Sequence, residues 1–153
     1  MKFIADAPLG KLVKWLRILG YDTLYFREKG LTRLIERAER EDRIILTRNR
    51  HLKRLSEGKK SLFITQNQPS LQLREVIQAY NIKKGEEAFS RCLVCNHPLQ
   101  EIARKEIEGK VPEYVYDTQN DFFTCPQCHR IYWPGTHLQS MEEKIDTLCS
   151  EVE

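Results

Sequence analysis

Cys92-Leu93-Val94-Cys95 and Cys125-Pro126-Gln127-Cys128 are two CxxC turns separated by 29 residues, and nothing else in the chain restricts its fold so strongly. A CxxC turn presents two thiolates to one ion while its backbone amides hydrogen-bond the sulfurs, and zinc prefers four such soft ligands in a tetrahedron. Two independent redox dithiols, or buried thiols, would not explain a matched pair around a hairpin-length insert. Four thiolates leave no coordination position for water, so the expected zinc is structural, and folding of residues 91–137 as a zinc ribbon should depend on it. His97, His129 and His137 lie near, but two complete cysteine pairs make them unnecessary. Phe122, Phe123, Tyr132 and Trp133 flank the second turn and are expected to cover the ribbon's small core. Cys149 is expected to be an ordinary thiol on the tail.

Upstream of the cysteines the pattern alternates between strand and helix. Lys2-Phe3-Ile4-Ala5 reads as a short buried strand ending at Asp6, and Pro8 opens a helix where its missing N–H does no harm. Leu9, Leu12, Val13, Leu16 and Leu19 mark one helical face, Lys11, Lys14 and Arg17 recur every third residue along another, and Gly20 supplies a stop. Strands follow at Asp22–Phe26, at the nearly continuous apolar run Arg43–Thr47 and at Ser61–Ile64, with helices at Leu31–Ala38, Arg50–Ser56 and Leu73–Tyr80. This order predicts right-handed crossovers and an α/β parallel sheet with helices on both faces. The expected division is an α/β domain over 1–82, a polar linker over 83–90, the ribbon over 91–137, and a tail over 138–153 with Met141, Ile145 and Leu148 spaced along one helical side.

Ligands of such sheets bind beyond the carboxyl ends of the strands, which selects Asp6, Thr47-Arg48-Asn49 and Thr65-Gln66-Asn67. No glycine-rich phosphate loop is present, which argues against a nucleotide cofactor. Residues 1–90 carry a balance of +8 and residues 91–153 a balance of −5, so the basic surface belongs to the first part. Such a field attracts RNA or DNA, although a merely solvated basic surface has the same composition. Arg48, Arg50, Lys53, Arg54, Lys59 and Lys60 crowd beside the expected cleft with one acid, Glu57, among them, a placement that favours phosphate contacts. The N-terminus lacks the features of a secretory signal and no apolar run approaches a membrane span, so a cytoplasmic protein with no membrane partner is expected.

Phe3-Ile4-Ala5-Asp6, the run Leu9 to Asp22 centred on Trp15, Ile44 to Arg50, and the C-terminal CxxC, Val111-Pro112, CPxC, Tyr132-Trp133 and Gly135-Thr136-His137 together resemble a known family. It is the PIN-like ribonuclease domain family named for the C-terminal part of the Mut-seven exonuclease, in its zinc-ribbon-bearing form. The resemblance implies a PIN-like parallel sheet and a metal-dependent ribonuclease, with acids at the sheet's carboxyl edge holding Mg or Mn. Asp6 matches the first acidic position, and Glu28 is the other acid near that edge. Two positions where the family carries acids are Asn49 and Asn67 here, and an amide oxygen brings no net charge to a divalent cation.

The resulting expectation is an RNA-binding protein of PIN-like ribonuclease type with a basic cleft and a weakened acidic site built on Asp6, Glu28, Asn49 and Asn67. Lys11, Lys14, Arg17, Arg48, Arg50, Lys53 and Arg54 are the residues expected to meet RNA. The alternatives are an active Mg- or Mn-dependent endoribonuclease using Asp6 and, more remotely, a zinc-ribbon adaptor whose acidic C-terminal half docks a protein partner.

Overall fold

A computed structural model describes residues 1–151, with His137 described by its backbone alone; Val152 and Glu153 of the expected tail lie outside the described residues. Four strands, β1 (Lys2–Ala5), β2 (Asp22–Tyr25), β3 (Ile44–Thr47) and β4 (Ser61–Phe63), form one parallel sheet in the order β2-β1-β3-β4. The α/β class with a parallel sheet flanked by helices is therefore as expected. Strand periodicity sorts the side chains between the faces. Phe3, Ala5, Ile44 and Leu46 join α1 (Gly10–Ile18) and α4 (Pro69–Tyr80) in one core, while Ile4 and Ile45 join α2 (Leu31–Arg40) and α3 (Arg50–Leu55) in the other. Each fully buried Leu, Ile or Phe in these layers contributes about 1.5–3 kcal/mol of transfer free energy.

Pro8 sits in a single 3-10 turn, Ala7–Leu9, from which α1 continues. The helix ends where the Gly20 N–H donates to the Arg17 carbonyl and the Tyr21 N–H to the Leu16 carbonyl, both at 3.0 Å. Gly20 has a φ of +94° there, and a Cβ on it would lie 2.3 Å from the Glu87 carbonyl oxygen, so no other residue fits without displacing the segment that follows α4. That segment, residues 83–90, runs against the sheet domain. The Phe89 N–H donates to the Ile18 carbonyl at 2.7 Å, and Lys84 pairs with Glu142 and Asp146.

The chain then forms a small antiparallel sheet from β5 (Gln100–Glu101), β6 (Phe123–Thr124) and β7 (Ile131–Tyr132). A short helix, α5 (Glu113–Thr118), lies in the insert between β5 and β6, where Ile107, Val115 and Phe122 make a core of their own against Trp133. Finally α6 (Thr136–Ser150) returns to the first domain: Ile145 is 0% exposed and packs with Leu148 and Met141 into the core under α1 and α4. No helix among the described residues is long and apolar enough to cross a membrane.

Candidate functional site

The order β2-β1-β3-β4 reverses direction between β1 and β3, and the carboxyl ends of these two strands define the crevice where ligands of open α/β sheets bind. Asp6 leaves β1 there and is 7% exposed. Its Oδ2 accepts a hydrogen bond from the Thr47 hydroxyl at the end of β3, and the same Thr47 oxygen accepts the Asn49 N–H at 2.9 Å. Asp6 precedes a helical turn, yet its side chain caps nothing. Its Oδ1 is buried and has no hydrogen-bond partner among the described residues. Burial pushes the Asp6 carboxyl above the ordinary carboxylate range, while the Thr47 hydroxyl and the nearby Arg48 and Asn49 amides pull the other way.

A cleft of ≈ 490 Å³ opens over this point, lined by Asp6, Glu28, Arg48 and Asn49 together with the apolar Phe26, Leu31 and Leu34. Of the four expected centre residues the structure thus brings together Asp6, Glu28 and Asn49. Glu28 is exposed on its rim. Asn49 has its oxygen occupied as the N-cap of α3, accepting from the His51 N–H at 2.8 Å and the Leu52 N–H at 3.2 Å. Asn67 does not line this cleft; its side-chain oxygen accepts from Arg48 and it faces a neighbouring groove. One acid of the region went unremarked in the sequence. Glu75 reaches back from α4 and accepts from the Thr65 and Gln66 N–H groups and the Thr65 hydroxyl, ordering the loop after β4. No sequence signal marks it, because the pairing spans nine to ten residues from a helix to a loop.

The basic residues divide. Arg48 lines the cleft, with its guanidinium also held by the Gln66 carbonyl. Lys11 and Lys14 are exposed and line the neighbouring groove. Arg50, Lys53 and Arg54 are exposed on α3, and the Lys53 ammonium lies 4.8 Å from the centre of the Phe63 ring. Arg17 is a correction. Expected beside Lys11 and Lys14 on a phosphate-facing side, it is 6% exposed, and its guanidinium donates to the carbonyls of Thr23 (3.0 Å), Leu93 (2.8 Å) and Val94 (3.2 Å). A three-residue recurrence drifts around a helix of 3.6 residues per turn, so the third member rotates out of solvent and under the first CxxC turn.

The four cysteines converge as expected. Their sulfurs all lie within 4.8 Å of one another, and among the described residues they are the one such group of three or more potential ligands. Cys92 Sγ and Cys128 Sγ are 3.7 Å apart, close to the roughly 3.8 Å edge of a tetrahedron with ~2.3 Å Zn–S bonds. The two turns repeat each other. The Cys92 N–H donates to the His97 carbonyl and the Cys125 N–H to the Arg130 carbonyl, while Asn96 and His129 return their N–H groups to the Cys92 and Cys125 carbonyls. Asn96 and His129 both have left-handed backbones, with φ of +68° and +62°. The Tyr132 hydroxyl accepts the Leu93 N–H and lies 3.1 Å from Cys92 Sγ, positioned to donate to the thiolate. Four cysteines therefore stand ready to bind a metal, in a set that fits a zinc ribbon.

This ribbon is bonded to the sheet domain by more than Arg17. Asn96 donates to Asp22 Oδ1 at 2.6 Å and accepts the Thr23 N–H at 3.0 Å, and Arg43 holds the same Asp22 at 2.8 Å. Partial burial would raise the Asp22 carboxyl, but Arg43 and Asn96 hold it below its ordinary value. Comparison with curated proteins and with solved structures returns no significant match. A family model described as the Mut7-C RNAse domain does match, over residues 1–145, and with the cleft at the switch point and the four-cysteine ribbon it shows that this chain belongs to the Mut7-C RNAse domain family.

Proposed function

We propose that this protein binds RNA through the crevice at the ends of β1 and β3, and that its acidic centre is too depleted to hold the divalent cation of an efficient nuclease. The family is nuclease-like and RNA-related. The observation that carries the reading is the state of the donors around Asp6. One Asp6 oxygen is taken by Thr47, Asn49 spends its oxygen on a helix cap, and the remaining acid, Glu28, is solvent-exposed on the rim. Magnesium in such sites is held by one or two carboxylates together with substrate phosphates and waters, and here the one buried carboxylate has a single open oxygen while the second, Glu28, stands out on the exposed rim. This donor set does not fit the cation. What this chain's own residues supply is a cationic guanidinium, Arg48, lining the crevice, whose N–H groups not used by Gln66 and Asn67 can contact a phosphate. The cysteine cluster is proposed to hold zinc in a purely structural role.

The test is incubation of the purified protein with cellular RNA, with and without manganese, beside an Asp6→Ala control. The expected result is RNA binding without Asp6-dependent cleavage. Manganese-dependent cleavage that Asp6→Ala abolishes would replace this reading with that of an active endoribonuclease.

A further inference from the structure

A second groove of ≈ 600 Å³ shares the Ala7–Pro8 turn with the cleft above Asp6. It is lined on one side by α1 and on the other by Leu93 and Val94, the two residues inside the first CxxC turn. Lys11, Lys14 and Arg27 line it and are exposed, and among the described residues no acidic side chain lines it. The cleft itself has Asp6 and Glu28 in its wall. A polyanion that enters the cleft beside Arg48 therefore finds its attractive continuation across Ala7–Pro8.

The groove also carries apolar and aromatic surface. Tyr25 lines it, with its hydroxyl fixed to the Ala7 carbonyl and the Arg27 guanidinium 5.7 Å from the centre of its ring. Val94 is 52% exposed at the tip of the knuckle. Cations that track a backbone, interleaved with a ring and an aliphatic tip that accept base faces, make up the chemistry that binds unpaired nucleic acid. In a duplex those base faces are stacked inside, and A-form RNA is met across its shallow minor groove instead.

We infer that this second groove binds an unpaired RNA segment, with the Cys92–Cys95 knuckle as one wall, so that sheet domain and ribbon form a single RNA surface. The inference rests on the RNA-binding reading above. It also gives the Arg17 and Asn96 contacts a consequence, since they hold the knuckle at the height of α1.

The experiment measures binding of a short labelled oligouridylate, and of a blunt RNA duplex of equal length, to the zinc-loaded full chain over a range of salt. Three proteins are compared: wild type, Lys11→Ala/Lys14→Ala/Arg27→Ala, and Val94→Glu, with zinc content and melting temperature as folding controls. The single strand should bind more tightly than the duplex. The triple variant should bind roughly tenfold or more weakly, with its salt slope reduced by about 2, at ~0.7 per lost phosphate contact. Val94→Glu puts a carboxylate on the groove wall without touching a cysteine and should also weaken binding while zinc stays at the wild-type level. Wild-type affinity in both variants would overturn the groove and leave the RNA-binding reading standing. Preference for the duplex would overturn the unpaired substrate. Failure of the wild type to bind either RNA would overturn both the groove and the reading beneath it.

Discussion

Thr47 donates its hydroxyl hydrogen to Asp6 Oδ2, joining the carboxyl ends of the two central strands, while Asp6 Oδ1 is left buried without a partner among the described residues. The centre of the crevice is therefore a half-satisfied carboxyl. An unpaired buried polar oxygen destabilises a fold by about 1–3 kcal/mol, and such arrangements concentrate at functional sites.

The sign of the resulting pH dependence follows from the raised Asp6 pKa. Between the ordinary value of 3.8 and the raised folded value, the folded protein holds more protons than the unfolded chain. Asp6 thus costs stability progressively as pH rises through that window, and the full cost persists above it. Asp6→Asn should be more stable than the wild type at pH 7, by on the order of 1 kcal/mol, with the difference closing as pH falls below the window. Thermal melts of both proteins across pH would measure this, and a variant less stable than wild type at pH 7 would show that the ionised carboxylate is stabilised after all.

The charge missing from the crevice can be restored at position 49. Aspartate caps a helix about as well as asparagine, and its charge suits the helix N-terminus, so Asn49→Asp should fold with little loss. It would place a second carboxylate beside Asp6, and manganese should then raise the melting temperature of the variant by more than that of the wild type. Adding Asn67→Asp should contribute less than Asn49→Asp, because Asn67 faces the neighbouring groove and is held by Arg48. Equal manganese shifts in wild type and Asn49→Asp would show that residue 49 does not share a site with Asp6.

Metal analysis should return about one zinc per chain, and Cys125→Ser should lose it. Loss of the metal is expected to unfold residues 91–135 and to lower protection of amides in α1 and β2, because Arg17 and Asn96 tie the first knuckle to them. Hydrogen exchange with and without chelator reads both effects. A folded ribbon with no metal would refute the assignment.

Arg17→Met keeps much of the side chain's volume and removes its hydrogen bonds to Thr23, Leu93 and Val94. Hydrogen bonds from a charged donor contribute about 1.5–3 kcal/mol, and one buried carbonyl, that of Thr23, and two partly buried ones would lose a partner. The variant should melt several degrees lower and exchange faster at residues 92–97. An unchanged melting temperature would mean that the ribbon is anchored without Arg17.

Much of this protein was legible before folding. The layer order, the cysteine set and the position of Asp6 are written in local periodicity and fixed spacing, which depend on neighbours in sequence. Arg17 was not legible, because Lys11, Lys14 and Arg17 are equivalent as charges and differ only in which side of α1 the knuckle later covers. The rule that strand ends face one crevice puts Asn67 with Asn49, but in the fold Asn67 accepts from Arg48 and lines the neighbouring groove.

Apolar period and CxxC chemistry leave little choice but a parallel α/β sheet followed by a four-thiolate ribbon. That β1 and β3 lie side by side, that α6 crosses back to complete the first core, and that the first knuckle leans on α1 emerge only once the chain is folded. These are contacts between segments tens of residues apart, chosen by which buried donors and apolar faces remain unsatisfied once the local elements have formed.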